Sequence, residues 1–103
     1  NVQGIFSAAL RRQAAGKHDD ALVLLEEAAE KGHAPALTAL ARLYDPIGFE
    51  AGKPFRSPDP RAAARYYRDA VQKGDTAAEP RRAALLISFG VASGVAFGAL
   101  SRL

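Results

Sequence analysis

The sequence predicts an all-α chain, a short α-solenoid of about two helical hairpins followed by a hydrophobic C-terminal helix. Three observations carry this. Alanine supplies 23 of the 103 residues, and β-branched residues are scarce and never alternate, which favours helix over strand. Apolar residues recur at three- and four-residue spacing in stretches punctuated by Gly, Pro and Asp, the pattern of amphipathic helices. The stretch 83–100 has no charged residue and only two serines.

Taken in order, Ile5 to Ala15 carries Ile5, Ala8, Ala9 and Leu10 at helical spacing, and Gly16 ends this first helix. Asp19 or Asp20 is the expected cap of the second, which sets Ala21, Leu24, Leu25 and Ala28 against Glu26, Glu27, Glu30 and Lys31 and stops at Gly32. Pro35 fits the first turn of a third helix, whose Leu37, Leu40, Ala41 and Tyr44 share a face before Asp45 and Pro46 end it. The run "DPIGFEAGKPFRSP" at 45–58 contains three prolines and two glycines and reads as a loop anchored by Phe49 and Phe55. Ser57 or Asp59 then caps a fourth helix, with Ala63, Tyr66, Tyr67 and Ala70 on its apolar side and Gly74 at its end. After a break at 75–79, Pro80 opens the fifth.

A chain of 103 residues has room for one domain with a modest core. Its net charge of +3 comes from 14 Lys plus Arg against 11 Asp plus Glu, interspersed along the chain. That falls short of a nucleic-acid footprint, so no nucleic-acid partner is expected. The absence of cysteine excludes disulfide frameworks, thiolate zinc sites and cysteine nucleophiles. The chain starts at Asn1 and holds no methionine; a leader removed ahead of Asn1 or a trimmed chain would each account for that.

An internal repeat is visible. "ALVLLEEAAEKGH" at 21–33 overlies "AARYYRDAVQKGD" at 63–75, a shift of 42 residues that matches Gly32 with Gly74 and Leu24-Leu25 with Tyr66-Tyr67. Hairpins repeated at such spacing stack into solenoids, because one pair cannot bury its own apolar face. The run "A...LARLY", a glycine-bearing loop and "DPRAAARYYRDAVQKGD" together resemble the Sel-one-like repeats, close relatives of the tetratricopeptide repeats. The residues that carry the likeness are Ala36, Leu40, Tyr44, Gly48, Gly52, Ala63, Tyr66, Tyr67, Ala70 and Gly74, and it covers roughly residues 5 to 78. The loop at 45–58 is longer and richer in proline than the family's. A third unit would begin near Ala78, but Glu79 and Arg82 stand where Leu37 and Leu40 should recur, so the array stops at about two units. The expected organisation is a repeat domain over 1–78 and a hydrophobic helix over 79–103.

The resemblance implies a non-enzymatic scaffold or accessory subunit that presents a concave surface to other proteins. Setting Gly16 and Ala21 on the tetratricopeptide pattern puts Ile5, Ala8 and Ala9 at packing positions and turns Gln3, Phe6, Leu10 and Gln13 toward the concave side. Thr38 and Arg42 follow in the next unit, so the expected partner-binding groove is Phe6, Leu10, Gln13, Thr38 and Arg42, passing from apolar to basic. The bland alternative makes Phe6 part of a small core.

As a helix, 83–100 would be 18 residues, about 27 Å against a hydrocarbon core of about 30 Å. Gly90, Gly94 and Gly98 line one face, suited to packing against another transmembrane helix. The expectation is a single-pass membrane protein, with lipid around this helix, other membrane proteins as partners, and homo-oligomers allowed. Arg81 and Arg82 at one end against Arg102 at the other place the domain on the cytoplasmic side by the positive-inside rule, whereas a removed leader would place it on the other side. The alternative is a soluble repeat adaptor that binds a peptide segment in its concave groove and uses the C-terminal helix for capping or self-association.

No catalytic, metal or cofactor site is expected. His18 and His33 sit at interhelical turns without a second ligand at metal spacing, and "EEAAE" reads as the solvated face of an amphipathic helix. The glycines at 48 and 52 follow no strand and open no helix, unlike a phosphate cradle. Tyr66-Tyr67 reads as half core and half groove.

Overall fold

The computed structural model describes residues 1–89, which form α1 (Val2–Ala14), α2 (His18–Glu30), α3 (Ala34–Tyr44), α4 (Pro60–Gln72) and α5 (Ala78–Phe89). No strand occurs among the described residues. Each helix packs against the next in the chain.

Local chemistry sets the helix starts, in two cases differently from the sequence expectation. Asn1 accepts a hydrogen bond from the Gly4 N–H at 2.7 Å, so α1 begins three residues before Ile5. The N-cap of α2 is Lys17, with no side-chain cap; Asp19 and Asp20 lie inside the first turn instead, where the positive end of the helix dipole favours them. At α4 the cap is Asp59, which accepts from the Ala62 N–H at 3.1 Å, and Ser57 takes no part.

One hydrogen-bonded turn ends three helices. Beyond α2, the Gly32 N–H donates to the Ala29 carbonyl at 2.9 Å and the His33 N–H to the Ala28 carbonyl at 3.1 Å. Beyond α4, Gly74 donates to Val71 at 3.0 Å and Asp75 to Ala70 at 2.9 Å. Gly16 and Lys17 repeat the pattern on Gln13 and Arg12 beyond α1. This is the Schellman arrangement, and it needs a left-handed residue, met by Gly32 at φ 77° and Gly74 at φ 111°.

The overlay of 21–33 on 63–75 is also an overlay of burial. Ala21 and Ala63, Leu25 and Tyr67, and Ala28 and Ala70 are all buried, while Leu24 and Tyr66 are both half-buried. α3 is the shared wall. Its Ala36 and Leu40 pack with Ala9, Leu25 and Ala28 on one side, and its Leu37 and Ala41 pack with Ala63, Ala64, Tyr67 and Ala70 on the other. Among the described residues eleven of the sixteen buried hydrophobic residues are alanines, so the core gains from closely approaching helix backbones more than from large side chains.

The membrane expectation is overturned. Among the described residues no helix is long and apolar enough to cross a membrane. Leu85, inside the expected span, is completely buried in a cluster with Leu37, Tyr67 and Ala78. That part of the apolar run is therefore spent on the helical core instead of facing lipid. Glu79, Arg81 and Arg82, in the first part of the same helix, are charged. The single-pass location is accordingly withdrawn. Gly90, Gly94 and Gly98, the expected helix-packing strip, lie outside the described residues.

Candidate functional site

A concavity of about 620 Å³ opens between α1, α3, the loop after α3 and the start of α5. Phe6, Leu10, Gln13, Thr38 and Arg42, the five residues assigned to the groove from sequence, all line it. They reach it from successive turns of α1 and α3: Phe6, Leu10 and Gln13 follow at intervals of four and three residues, and Thr38 and Arg42 at four, so each set shares one helix face.

The two helices use these faces differently. Phe6 is half-buried, packs on the cluster of Ala9, Leu25 and Leu40, and sets its ring 5.0 Å from that of His33. It belongs to the core and to the groove wall at once. Leu10 is 44% exposed and Ile47 49% exposed, and both face the same opening. Thr38 donates its hydroxyl to Asp75 Oδ2 at 2.6 Å, a short bond typical of a charged acceptor. Phe6 with His33 and Thr38 with Asp75 are equivalent pairs: in each hairpin a groove residue of the first helix touches the residue that follows the turn glycine of the second.

Sequence reasoning missed the floor of the groove. Tyr67 is completely buried and donates its hydroxyl to Asp45 Oδ2 at 2.7 Å, while the other carboxylate oxygen of Asp45 accepts from the Ile47 N–H at 2.8 Å. Asp45 is itself 3% exposed. Burial pushes the Tyr67 hydroxyl far above its ordinary pKa, the hydrogen bond to Asp45 and its negative charge add to the rise, and the positive charge of Arg81 counters it. Arg81 lines the concavity from α5 and Glu50 from the loop. A buried tyrosine hydroxyl needs a partner, so Tyr67 on the apolar face of α4 was a signal that a polar group lay opposite. In the sequence alone Asp45 reads as a helix terminator, and Arg81 as a flank of the apolar tail.

Behind the groove, the ring of Tyr44 stacks on Phe55 at 4.3 Å and on Tyr66 at 5.8 Å, with the Arg65 guanidinium 5.6 Å from the Tyr66 ring centre. Phe55 thus anchors the loop, and Phe49 is half-buried without a stacking partner among the described residues. Burial raises the Tyr44 hydroxyl above its ordinary pKa, helped by the neighbouring charges of Glu26 and Asp59. Among the described residues no group of three His, Asp or Glu side chains could hold a metal ion.

No family model, no curated protein and no solved structure matches this chain.

Proposed function

We propose that the chain is a non-enzymatic protein-interaction adaptor. Two hairpins of Sel-one-like type, α1–α2 and α3–α4, form a short solenoid capped by α5, and the concave face takes a segment of a partner protein. The observation that carries this reading is the convergence of Phe6, Leu10, Thr38, Arg42 and Ile47 on one concavity in which Leu10 and Ile47 stay exposed. Large apolar side chains left open in a concave surface with a polar rim mark a binding site. The matched burial at a 42-residue shift, the recurring Schellman turn and the paired contacts Phe6–His33 and Thr38–Asp75 support the repeat reading.

Site-specific photocrosslinking in cells tests it. A photoreactive phenylalanine analogue at Leu10 should give one discrete protein adduct, and the same group at Val23, which is 63% exposed on α2 and away from the groove, should not. Ile47→Glu should abolish the Leu10 adduct without lowering the melting temperature, since Ile47 is half exposed. Equal adducts from Leu10 and Val23, or an adduct indifferent to Ile47→Glu, would refute the groove as the interaction surface.

A further inference from the structure

The groove is bipartite, and the polar groups that line it are unevenly committed. The Thr38 hydroxyl is spent on Asp75 and the Tyr67 hydroxyl on Asp45. Glu50 is paired with Lys53 at 3.0 Å. Neither Arg42 nor Arg81 enters an ion pair among the described residues. A guanidinium has five donors and no acceptor, so two of them in one opening call for an anion. Apart from Gln13, the rest of the lining is apolar, with Phe6, Leu10, Leu43 and Ile47 the largest members.

We infer that the occupant is an extended protein segment carrying one apolar side chain, seated against Phe6, Leu10 and Ile47, and within a few residues of it one acidic side chain held by Arg42 and Arg81. This rests on the groove reading above and names what that groove selects. Charge complementarity favours a carboxylate, and the Glu50 carboxylate in the same lining argues against an acidic run, a nucleic acid or an anionic lipid surface, each of which would bring several negative charges past it. An acidic side chain suits the site better than a chain end, because terminal carboxylates are captured by nests of free backbone N–H groups. Arg42 projects from the last turn of α3, where the backbone N–H groups are spent on carbonyls within the helix.

The buried carboxylate of Asp45 ties the two halves together. Through Tyr67 it fixes the floor near Arg81, and through the Ile47 N–H it fixes the apolar wall. The distance between the two subsites is therefore set by groups that are out of solvent, which gives the groove a preferred spacing between the apolar and acidic residues of its ligand.

A set of acetylated and amidated heptapeptides tests this. Each holds one leucine and one glutamate, separated by zero to four positions, in a background of glycine and serine. Binding is followed by calorimetry and by backbone amide shifts in the labelled protein. One spacing should bind best, with shifts gathered at Leu10, Ala39, Ile47 and Arg81. Glutamine in place of glutamate should weaken binding about tenfold. The Arg42→Gln, Arg81→Gln double variant should weaken the glutamate peptide by the same factor and leave the glutamine peptide unchanged; both arginines are exposed, and an unaltered melting temperature verifies folding. Glutamate and glutamine peptides that bind equally well, with shifts in the groove, would overturn the acidic subsite while leaving the groove reading intact. Shifts outside the groove, or no binding at any spacing, would overturn both.

Discussion

Removing a single oxygen atom from the core tests the link between fold and groove. Tyr67→Phe keeps the ring, which is completely buried, and deletes the hydroxyl that donates to Asp45 at 2.7 Å. Asp45, 3% exposed, is then left with the Ile47 N–H as its side-chain donor among the described residues. A hydrogen bond to a charged group contributes about 1.5–3 kcal/mol, and losing one side of it in a dry site costs that much or more. For a chain of this size such a loss lowers the melting temperature by about 10 °C. The pH dependence separates this bond from simple packing. The folded-state pKa of Tyr67 lies above the ordinary value of 10.0, so its stabilisation is whole below about pH 10 and is lost as the pH climbs toward the folded value. In that window the unfolded chain releases the proton while the folded chain holds it, and wild-type stability falls by up to about 1.4 kcal/mol per pH unit from this group. The raised pKa of Tyr44 acts on both proteins alike and cancels in the difference. Urea denaturation of wild type and Tyr67→Phe from pH 7 to 11.5 should therefore show a gap of at least 1.5 kcal/mol that narrows above pH 10. A gap under 0.5 kcal/mol at pH 7, or one that stays constant to pH 11.5, would refute the assignment.

Two further outcomes probe the repeat. Thr38→Val removes the 2.6 Å bond to Asp75 and should cost about 1–2 kcal/mol in the same denaturation experiment; Asp75→Asn, which keeps an acceptor, should cost less. Gly74→Ala meets no atom within 4 Å of the added methyl, so its cost is that of holding alanine at φ 111°. About 1 kcal/mol is expected after the gain from a stiffer unfolded chain, read as a drop in melting temperature.

The hairpins were legible because they rest on local rules. Glycine after an amphipathic stretch, proline in a first turn and apolar residues three and four apart each act within one turn of helix, and they placed all five helices. What escaped was pairing across sequence. Asp45 and Tyr67 are 22 residues apart and Thr38 and Asp75 are 37 apart, and no periodicity reports which polar residue a fold will set opposite another. The apolar tail misled for a related reason. Its composition fits lipid and a helical core alike, and only the burial of Leu85 against Tyr67 shows which solvent the first turns of α5 occupy.

The long loop takes its meaning from where it departs. Two consecutive residues at the end of α3 grip two consecutive residues of α4: Tyr44 stacks on Tyr66 at 5.8 Å, and Asp45 binds the Tyr67 hydroxyl at 2.7 Å. The Tyr44 carbonyl also accepts from the Asp59 N–H at 2.8 Å, so the loop leaves and returns at nearly the same point. A loop closed at its base leaves the packing of α3 on α4 undisturbed, whatever its length. Its interior is free to serve the groove, and the grip decides how. Phe55 is drawn onto Tyr44 on one side, while Ile47 is held by Asp45 on the other and faces the opening. The length by which this loop exceeds the other interhelical turns is therefore what adds a third wall to a surface that two helices alone would leave shallow. Because that wall hangs from the same buried carboxylate that grips Tyr67, a change at Asp45 should lower fold stability through α4 and ligand binding through Ile47 together.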